Sequence, residues 1–277
     1  GMFSGIQETD WSWAPLFADY NNDGWKDLLI TNGFPKDVTD RDFGDFRVTA
    51  SRLVSKQTLI EAIPEIKIPN FIFKNLEGKG FADVTKDWGL NFGTFSNGAA
   101  YGDLDNDGDL DLVINNINDP VLLMENHSNE LTPEENFLRI KLTGDKQNPE
   151  AIGSTVITYY DNKQQRQSLL SGRGYLSQPE KIYHVGLGKI KKIDSLKIIW
   201  PNGKIQIETS PTVNKLNKYT YRPSSLIANK NNTPLFTKAS KNLGLDFLSK
   251  DNDFIDFNFQ RTIPHKFSQF GPSISVG

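Results

Sequence analysis

Apolar and polar residues alternate in short segments over much of the chain. Phe137–Leu142 alternates residue by residue, as expected of a strand with one buried face. Further short segments rich in β-branched and aromatic residues follow at 154–160, 167–170, 182–185, 195–200 and 204–207. Roughly seven such strands, separated by turn residues, predict a small all-β sandwich or barrel over residues 128–222.

One segment departs from this pattern and favours a helix. Its apolar residues recur on one rough helical face: Phe46, Leu53, Leu59, Ile60 and Ile63. Asp42 is a candidate N-cap and Pro64 a helix stop. We therefore predict a helical insertion at about 42–63, and we interpret Asp37, Asp40 and Asp42 as cap and turn residues rather than ligand contacts.

Two copies of one acidic pattern, D-x-[DN]-x-D-G-x-x-D, lie in the first half of the chain. Loop 1 runs from Asp19 to Asp27 and loop 2 from Asp103 to Asp111. A short segment of small or aromatic residues precedes each loop, and an apolar, β-branched segment follows it. Each unit therefore predicts strand, acidic turn, strand, and the repetition among many short strands indicates a propeller-like array.

The spacing of oxygen-bearing side chains predicts that both loops bind calcium. Calcium takes about six to eight oxygen ligands, which a flexible loop supplies from alternate residues. A glycine at position 6 of each loop allows the sharp reversal. The predicted ligands are side-chain oxygens at positions 1, 3, 5 and 9 and the backbone carbonyl at position 7: Asp19, Asn21, Asp23, Trp25 and Asp27 in loop 1, and Asp103, Asp105, Asp107, Asp109 and Asp111 in loop 2.

The two loops fit an EF-hand or a magnesium site less well. An EF-hand needs Glu at position 12, where this chain has Ile30 and Ile114. Magnesium dehydrates reluctantly and takes few protein ligands. Metal-free Asp/Asn/Gly turns remain the alternative, but two copies with the same spacing favour a structural calcium ion. We expect loop 2 to bind more tightly, because it offers more side-chain carboxylates than loop 1.

Charge is distributed unevenly along the chain. Residues 1–127 carry 10 basic and 21 acidic side chains, whereas residues 128–222 carry 15 basic and 9 acidic ones. Clustered carboxylates repel one another unless water or a cation stabilises them. In the basic segment, Lys189, Lys191 and Lys192 are interpreted as a solvated loop, with docking on the acidic segment as the alternative. We expect no nucleic-acid partner, since interleaved aromatic residues are missing.

Catalytic residues are not evident in the sequence. The chain has no cysteine and 3 histidines, which excludes a thiol nucleophile and argues against a His-rich metal site. There is no G-x-S-x-G motif. We interpret His184 as a structural histidine and Trp200 as a core residue. No apolar run approaches the ~18 residues of a membrane span.

Several of these motifs carry a family resemblance. Residues 13–33 and 97–126 resemble FG-GAP (VCBS-type) repeats of integrin-like β-propellers. Residues 137–220 resemble the ASPIC/UnbV domain through four short stretches: Ala151–Ser154, Ser171–Gln178, His184–Gly188 and Trp200–Gly203. The whole resembles bacterial FG-GAP/ASPIC-UnbV proteins related to the cartilage acidic protein family. The resemblance implies secreted or surface-exposed calcium-binding proteins and implies no known reaction.

The expected fold is mainly β, a partial β-propeller plus a small β domain. Residues 1–127 would form FG-GAP-like blades with the helical insertion, residues 128–222 an ASPIC/UnbV-like domain inserted between blades, and residues 223–277 the start of a further blade. Phe236–Phe247 repeats the element Phe81–Phe92. Because Phe270–Gly277 resembles the segment before Asp103, we expect the native protein to continue with a third acidic loop.

The expected function is a calcium-binding, non-enzymatic adhesion or ligand-recognition module, a fragment of a larger repeat protein. Its partner would be a surface glycan or protein, in an extracellular, periplasmic or outer-membrane location. The alternative is a glycan-directed hydrolase with its site between propeller and sandwich. That alternative requires two carboxylates that converge in a pocket.

Overall fold

The computed structural model describes residues 2–6, 8–37, 39–50 and 53–222. The predictions for residues 223–277 lie outside the described residues. The described chain is mainly β, as predicted.

The first strands are β1 (Ser12–Ala18), β2 (Asp27–Asn32), β3 (Ile68–Pro69), β4 (Phe71–Asn75), β5 (Phe81–Asp83), β6 (Gly93–Thr94), β7 (Ser96–Gly102), β8 (Asp111–Asn116) and β9 (Leu122–Met124). The later strands are β10 (Asn136–Thr143), β11 (Thr155–Tyr160), β12 (Lys163–Ser168), β13 (Tyr183–Gly188), β14 (Ser195–Ile199), β15 (Ile205–Thr209) and β16 (Leu216–Thr220).

The two acidic loops each connect an antiparallel pair of strands, and the two pairs have the same register. Ser12 faces Asn32 in β1–β2, and Ser96 faces Asn116 in β7–β8. Each residue of the second pair lies 84 residues after its counterpart in the first pair. Both pairs also contain an irregularity shortly after these residues. The pairs belong to sheets ordered β1-β2-β4-β5 and β7-β8-β9, which contribute to one apolar core. The sequence repeat is therefore a repeat of backbone structure.

The insertion between β2 and β3 contains two helices, α1 (Arg41–Ala50) and α2 (Lys56–Glu61). The prediction of a single helix is wrong, because Ser55 begins a second one: its Oγ accepts the backbone N–H of Thr58 at 3.1 Å. The cap of α1 also differs from the prediction. Asp40, rather than Asp42, accepts the backbone N–H of Phe43, at 2.6 Å. Asp40 serves as a cap, as interpreted from the sequence.

The later strands form two sheets, ordered β13-β10-β16 and β12-β11-β14-β15. Residues from both sheets share one apolar core that includes Leu138, Val156, Val185 and Ile198. Trp200 is a core residue, as predicted, and its indole N–H donates to Gln206. Within the described ranges no sheet closes into a barrel, so the barrel alternative is not observed. β16, which the sequence pattern did not predict, pairs parallel with β10.

Strand β13 and the first five residues of β10 are buried on both faces. Alternate residues on β10 and β13, such as Leu138 and Val185, point into the core. The intervening residues, among them Arg139, His184 and Gly186, face the two acidic loops. A strand covered on both sides explains the continuous burial of β13. The sheet β13-β10-β16 therefore forms one wall of the site described below.

The described helices are short. The longest, α1, has 10 residues, half the ~20 needed to cross a bilayer. Over the ranges that the structure describes, no helix has the length and apolarity of a membrane span.

Candidate metal centre

The last carboxylate of each acidic loop holds the loop closed by the same hydrogen bonds. Asp27 accepts the backbone N–H of Tyr20 at 3.1 Å and that of Asn75 at 2.9 Å. Asp111 accepts the equivalent N–H groups, of Leu104 at 2.8 Å and Asn126 at 2.9 Å. Both carboxylates are almost fully buried. Position 9 therefore ties each loop to the neighbouring strand, and each oxygen keeps a further lone pair for a cation.

Loop 2 brings three of its predicted ligands together. One carboxylate oxygen from each of Asp103, Asp105 and Asp107 lies within 4.8 Å of the others. Asp103 is buried and the other two are exposed. The carboxylate of Asp105 accepts the N–H of Asp107, and that of Asp107 accepts the N–H of Asp109. These Asx turns hold the carboxylates on one side of the loop.

Loop 1 has the same spacing of side chains as loop 2 but carries less negative charge. Asn21 replaces the second carboxylate, and its amide donates to Asp23 at 2.9 Å. The Lys74 ammonium lies 3.6 Å from Asp23. Trp25, whose carbonyl is the predicted ligand at position 7, has a half-exposed side chain. Loop 1 therefore presents less unbalanced negative charge than loop 2, which agrees with the expected order of affinities.

Both loops leave buried carboxylate oxygens without a hydrogen-bond partner. Oδ1 of Asp19 and Oδ1 of Asp103, the first residues of the two loops, are buried and have no hydrogen-bond partner among the described residues. Oδ1 of Asp109 is a third such atom, although Asp109 was predicted to contribute its backbone carbonyl. A buried, unsatisfied carboxylate oxygen is costly unless a cation balances it. The donor set therefore fits a hard divalent cation such as calcium.

Burial raises the pKa of these carboxyl groups. It raises the pKa of Asp27 to about 7 and the pKa of Asp109 to about 7. The pKa of Asp19 is raised well above its ordinary value by burial and then by Asp23 and Asp27. The pKa of Asp103 is also raised by burial, against the lowering effect of Arg139. Without a cation, the folded protein therefore favours protonated carboxyl groups at these positions.

We expect the chelator-treated protein to melt at a lower temperature at a pH of about 8 than at about 6.5. The folded-state pKa values of Asp27 and Asp109, about 7, exceed their unfolded values. The stability that these two carboxyl groups contribute is therefore complete below their unfolded pKa, and it is lost as the pH rises through their folded pKa. Saturating calcium should remove or reverse the difference, because the ion favours the charged carboxylates. Melting curves followed by circular dichroism measure both quantities.

Neither of the two pH values compared is set below the ordinary pKa of histidine, about 6.5. Burial, then Arg139, lowers the pKa of His184 to about 3. Folded His184 stays neutral while the unfolded chain takes up a proton below about 6.5, which destabilises the fold in acid and opposes the carboxyl effect. A chelated protein whose melting temperature is unchanged or rises between the two pH values would contradict the prediction.

The outer face of β10 and β13 covers the two loops. The side chain of Asn22 in loop 1 donates to the Gly108 carbonyl of loop 2 and pairs with Nε2 of His184 at 2.6 Å. Gly186 lies so close to loop 1 that a Cβ there would be 1.9 Å from Oδ2 of Asp19. Loops 1 and 2 are therefore neighbours beneath the sheet β13-β10-β16.

Arg139 on β10 forms a buried ion pair with Asp103 of loop 2. It is 3% exposed, and its Nη1 pairs with Oδ2 of Asp103. Its Nη2 lies 2.7 Å from each carboxylate oxygen of Glu180. One oxygen of Asp103 is therefore bound by an arginine, while the other is buried without a partner. Arg139 therefore fixes the orientation of the Asp103 carboxylate, the first side chain of loop 2.

Sequence reasoning missed Arg139, Glu180 and the two asparagines Asn75 and Asn126. Each asparagine also donates from its side chain to the position 8 carbonyl of its loop, that of Lys26 or Leu110. Their spacing from the loops differs because the helices interrupt the first copy. Lys191 and Lys192 are exposed, and Lys189 lies 3.9 Å from Glu134, so among the described residues the lysine cluster forms no salt bridge with the acidic segment, which agrees with a solvated loop. His184 is buried and pairs through Nε2 with Asn22, which agrees with a structural histidine.

A small cavity lies beside loop 1, between β1 and residues 167–184. Its volume is about 40 Å³. Its polar and charged wall includes Asp19, Lys26, Tyr101, Arg173, Glu180 and His184. Two carboxylates thus line one cavity, but Glu180 is bound by Arg139.

Comparison with known proteins finds a family match for part of the chain. Residues 144–225 match the protein family described as ASPIC and UnbV, which confirms that part of the resemblance. The chain is also similar to cartilage acidic protein 1 of Xenopus tropicalis, with 31% identity over 109 residues, 39% of this chain. The match spans 16% of the length of that relative.

Proposed function

We propose that this chain is a calcium-binding, non-enzymatic ligand-recognition module, part of a larger FG-GAP-type repeat protein with an ASPIC/UnbV domain. It would work as a secreted or surface-exposed adhesion protein, in an extracellular, periplasmic or outer-membrane location. Calcium would be structural. The ion would neutralise the clustered carboxylates and hold the two loops, and the second domain that lies on them, in one arrangement.

One observation carries the calcium part of the proposal. The same atom, Oδ1 of the first aspartate, is buried and unpartnered in both loops. An unpaired buried carboxylate oxygen could be an isolated defect in one loop, but its repetition at equivalent positions argues for a common ligand. The hydrogen bonds of the last aspartates repeat as well.

Two further observations support the recognition part and the FG-GAP assignment. Two strand–loop–strand units with one register agree with FG-GAP-type blades, and blades of this kind are the units of propellers. Rigid sheets that carry loops are suited to recognition, since loops vary while the frame holds them in place. A surface glycan or a protein remains the expected partner.

Calorimetry on chelator-treated protein should detect two calcium sites, with loop 2 the tighter. Asp105→Asn should weaken binding at one site about tenfold, because it removes one ligand charge from loop 2. Asp105 is exposed, and an asparagine keeps the oxygen that accepts the N–H of Asp107. The variant therefore changes charge with little change of fold.

A matched control is available in the second domain. Asp145 is also exposed and also accepts an N–H two residues on, that of Gln147 at 3.0 Å. Asp145→Asn removes the same charge from the same kind of turn and should leave both calcium sites unchanged. The absence of heat at millimolar calcium, or equal titrations for Asp105→Asn and wild type, would refute the proposal.

The hydrolase alternative has weaker support. The cavity with Asp19 and Glu180 holds about 40 Å³, enough for a few atoms rather than for a sugar ring between two carboxyl groups. Glu180 also accepts two hydrogen bonds from Arg139, so its carboxylate is already bound by an arginine. Hydrolysis of glycans that is lost on Glu180→Gln would instead favour the alternative.

A further inference from the structure

The cavity beside loop 1 is lined by two cations that form no salt bridge with the described residues. Lys26 belongs to loop 1 and Arg173 to the segment between β12 and β13. Among the residues that the structure describes, neither forms a salt bridge, and the Lys26 ammonium has no hydrogen-bond partner. Arg173 donates from Nη2 to the Ser168 carbonyl and has further N–H groups to offer.

The two cations lie near each other in a partly enclosed place. Both line the same small cavity beside loop 1. Placing like charges together away from bulk water is unfavourable unless an anion balances them. An anion bound beside both side chains would balance the two positive charges.

The carboxylates of the same cavity are engaged elsewhere. Glu180 accepts both of its short hydrogen bonds from Arg139. Asp19 accepts the N–H of Gly24 through Oδ2, at 2.9 Å, and it is a predicted ligand of the ion in loop 1. Neither carboxylate lies within salt-bridge distance of Lys26 or Arg173. The two cations are therefore available to an external group.

We propose that this cavity is a binding site for a small oxyanion group, a carboxylate or a sulfate, with Lys26 and Arg173 as its cationic donors. The group would belong to the acidic ligand that the module recognises. Arg173 would supply directed N–H donors and Lys26 a point charge. The inference deepens the recognition part of the proposed function, on which it rests.

The size of the cavity sets how a ligand binds. About 40 Å³ holds one small group, so a larger ligand would insert only its charged end. Phe17 and Leu170 line the cavity and are 45% and 53% exposed, which places them at an opening to solvent. They would contact the apolar part of a ligand whose anionic end lies inside.

The test is a titration of the protein with sodium sulfate and with sodium acetate, once in excess calcium and once in chelator, at constant ionic strength set by chloride. Calorimetry should show saturable binding of at least one anion, and the stronger of the two identifies the oxyanion class. Lys26→Gln and Arg173→Gln should each weaken binding about tenfold or more, as expected for the loss of one charged hydrogen bond. Lys26→Arg should retain binding.

The control variant is Lys192→Gln, which removes one exposed positive charge outside the cavity and should bind like wild type. Melting curves identify any variant that fails to fold, and Lys26→Arg separates loss of charge from loss of structure. Absence of binding of both anions to wild type would overturn the inference, as would wild-type affinity in folded Lys26→Gln and Arg173→Gln. Because anion binding is measured with and without calcium, absence of binding in both conditions is distinguishable from failure of the calcium loops, which the calcium titration tests separately.

Discussion

Replacing Arg139 with methionine is expected to lower the free energy of unfolding by about 3–5 kcal/mol. Methionine fills much of the same space, but it leaves the carboxylates of Asp103 and Glu180 without their shared cation. An uncompensated buried charge costs more than the ion pair contributes. Denaturant unfolding in chelator measures the change, and adding Glu180→Gln to the variant should restore part of the stability.

The matched control for this prediction lies on the same strand. Lys141 lies two residues after Arg139 on β10, but it is exposed and forms no salt bridge among the described residues. Lys141→Met removes the same charge and should change the free energy of unfolding by less than about 0.5 kcal/mol. Equal losses for the two variants would show that Arg139 has no special role.

Replacing Gly186 with alanine is expected to lower the free energy of unfolding by about 1–3 kcal/mol, and the melting temperature by several degrees. The added Cβ would lie 1.9 Å from Oδ2 of Asp19 and 2.9 Å from the Cα of Asn22. Asp19 is buried and Asn22 contributes backbone, so neither can move aside cheaply. Loop 1 and β13 must separate, and calcium affinity at loop 1 should fall with stability.

Gly172→Ala provides the comparison for Gly186→Ala. A Cβ at Gly172 would meet its nearest atom, the Ser177 carbonyl oxygen, at 3.6 Å, an ordinary contact distance. This variant should melt like wild type and bind calcium normally. If Gly186→Ala also retained wild-type stability and affinity, the close approach of the two halves would be contradicted.

Local sequence patterns predicted the parts of the molecule that depend on local structure. The spacing of aspartates and glycines within nine residues defines each acidic loop, and alternation defines strands such as β10. The division of the insertion into α1 and α2 was missed, because its apolar positions fit one helical face while Ser55 provides a second cap. β16 was missed because Leu216–Thr220 has little apolar alternation.

The packing of β10 and β13 on the two acidic loops could not be predicted from the same patterns. Arg139 and Asp103 are 36 residues apart, and Asn22 and His184 are 162 apart, so no local period connects them. A weak indication was present on β13, where Gly186 and Gly188 alternate with core residues. Small residues at every second position of a strand indicate close approach of other backbone to that face.

The parallel pairing of β10 and β16 has a mechanical consequence. Five residue pairs join the two strands, from Arg139 with Leu216 to Thr143 with Thr220. Because the strands are parallel, tension applied at Asn136 and Thr220 pulls them past each other along their length. The hydrogen bonds then bear the load together instead of opening one after another. A surface protein under shear flow would gain resistance to extension from this pairing, and an antiparallel pair pulled from its open ends would not.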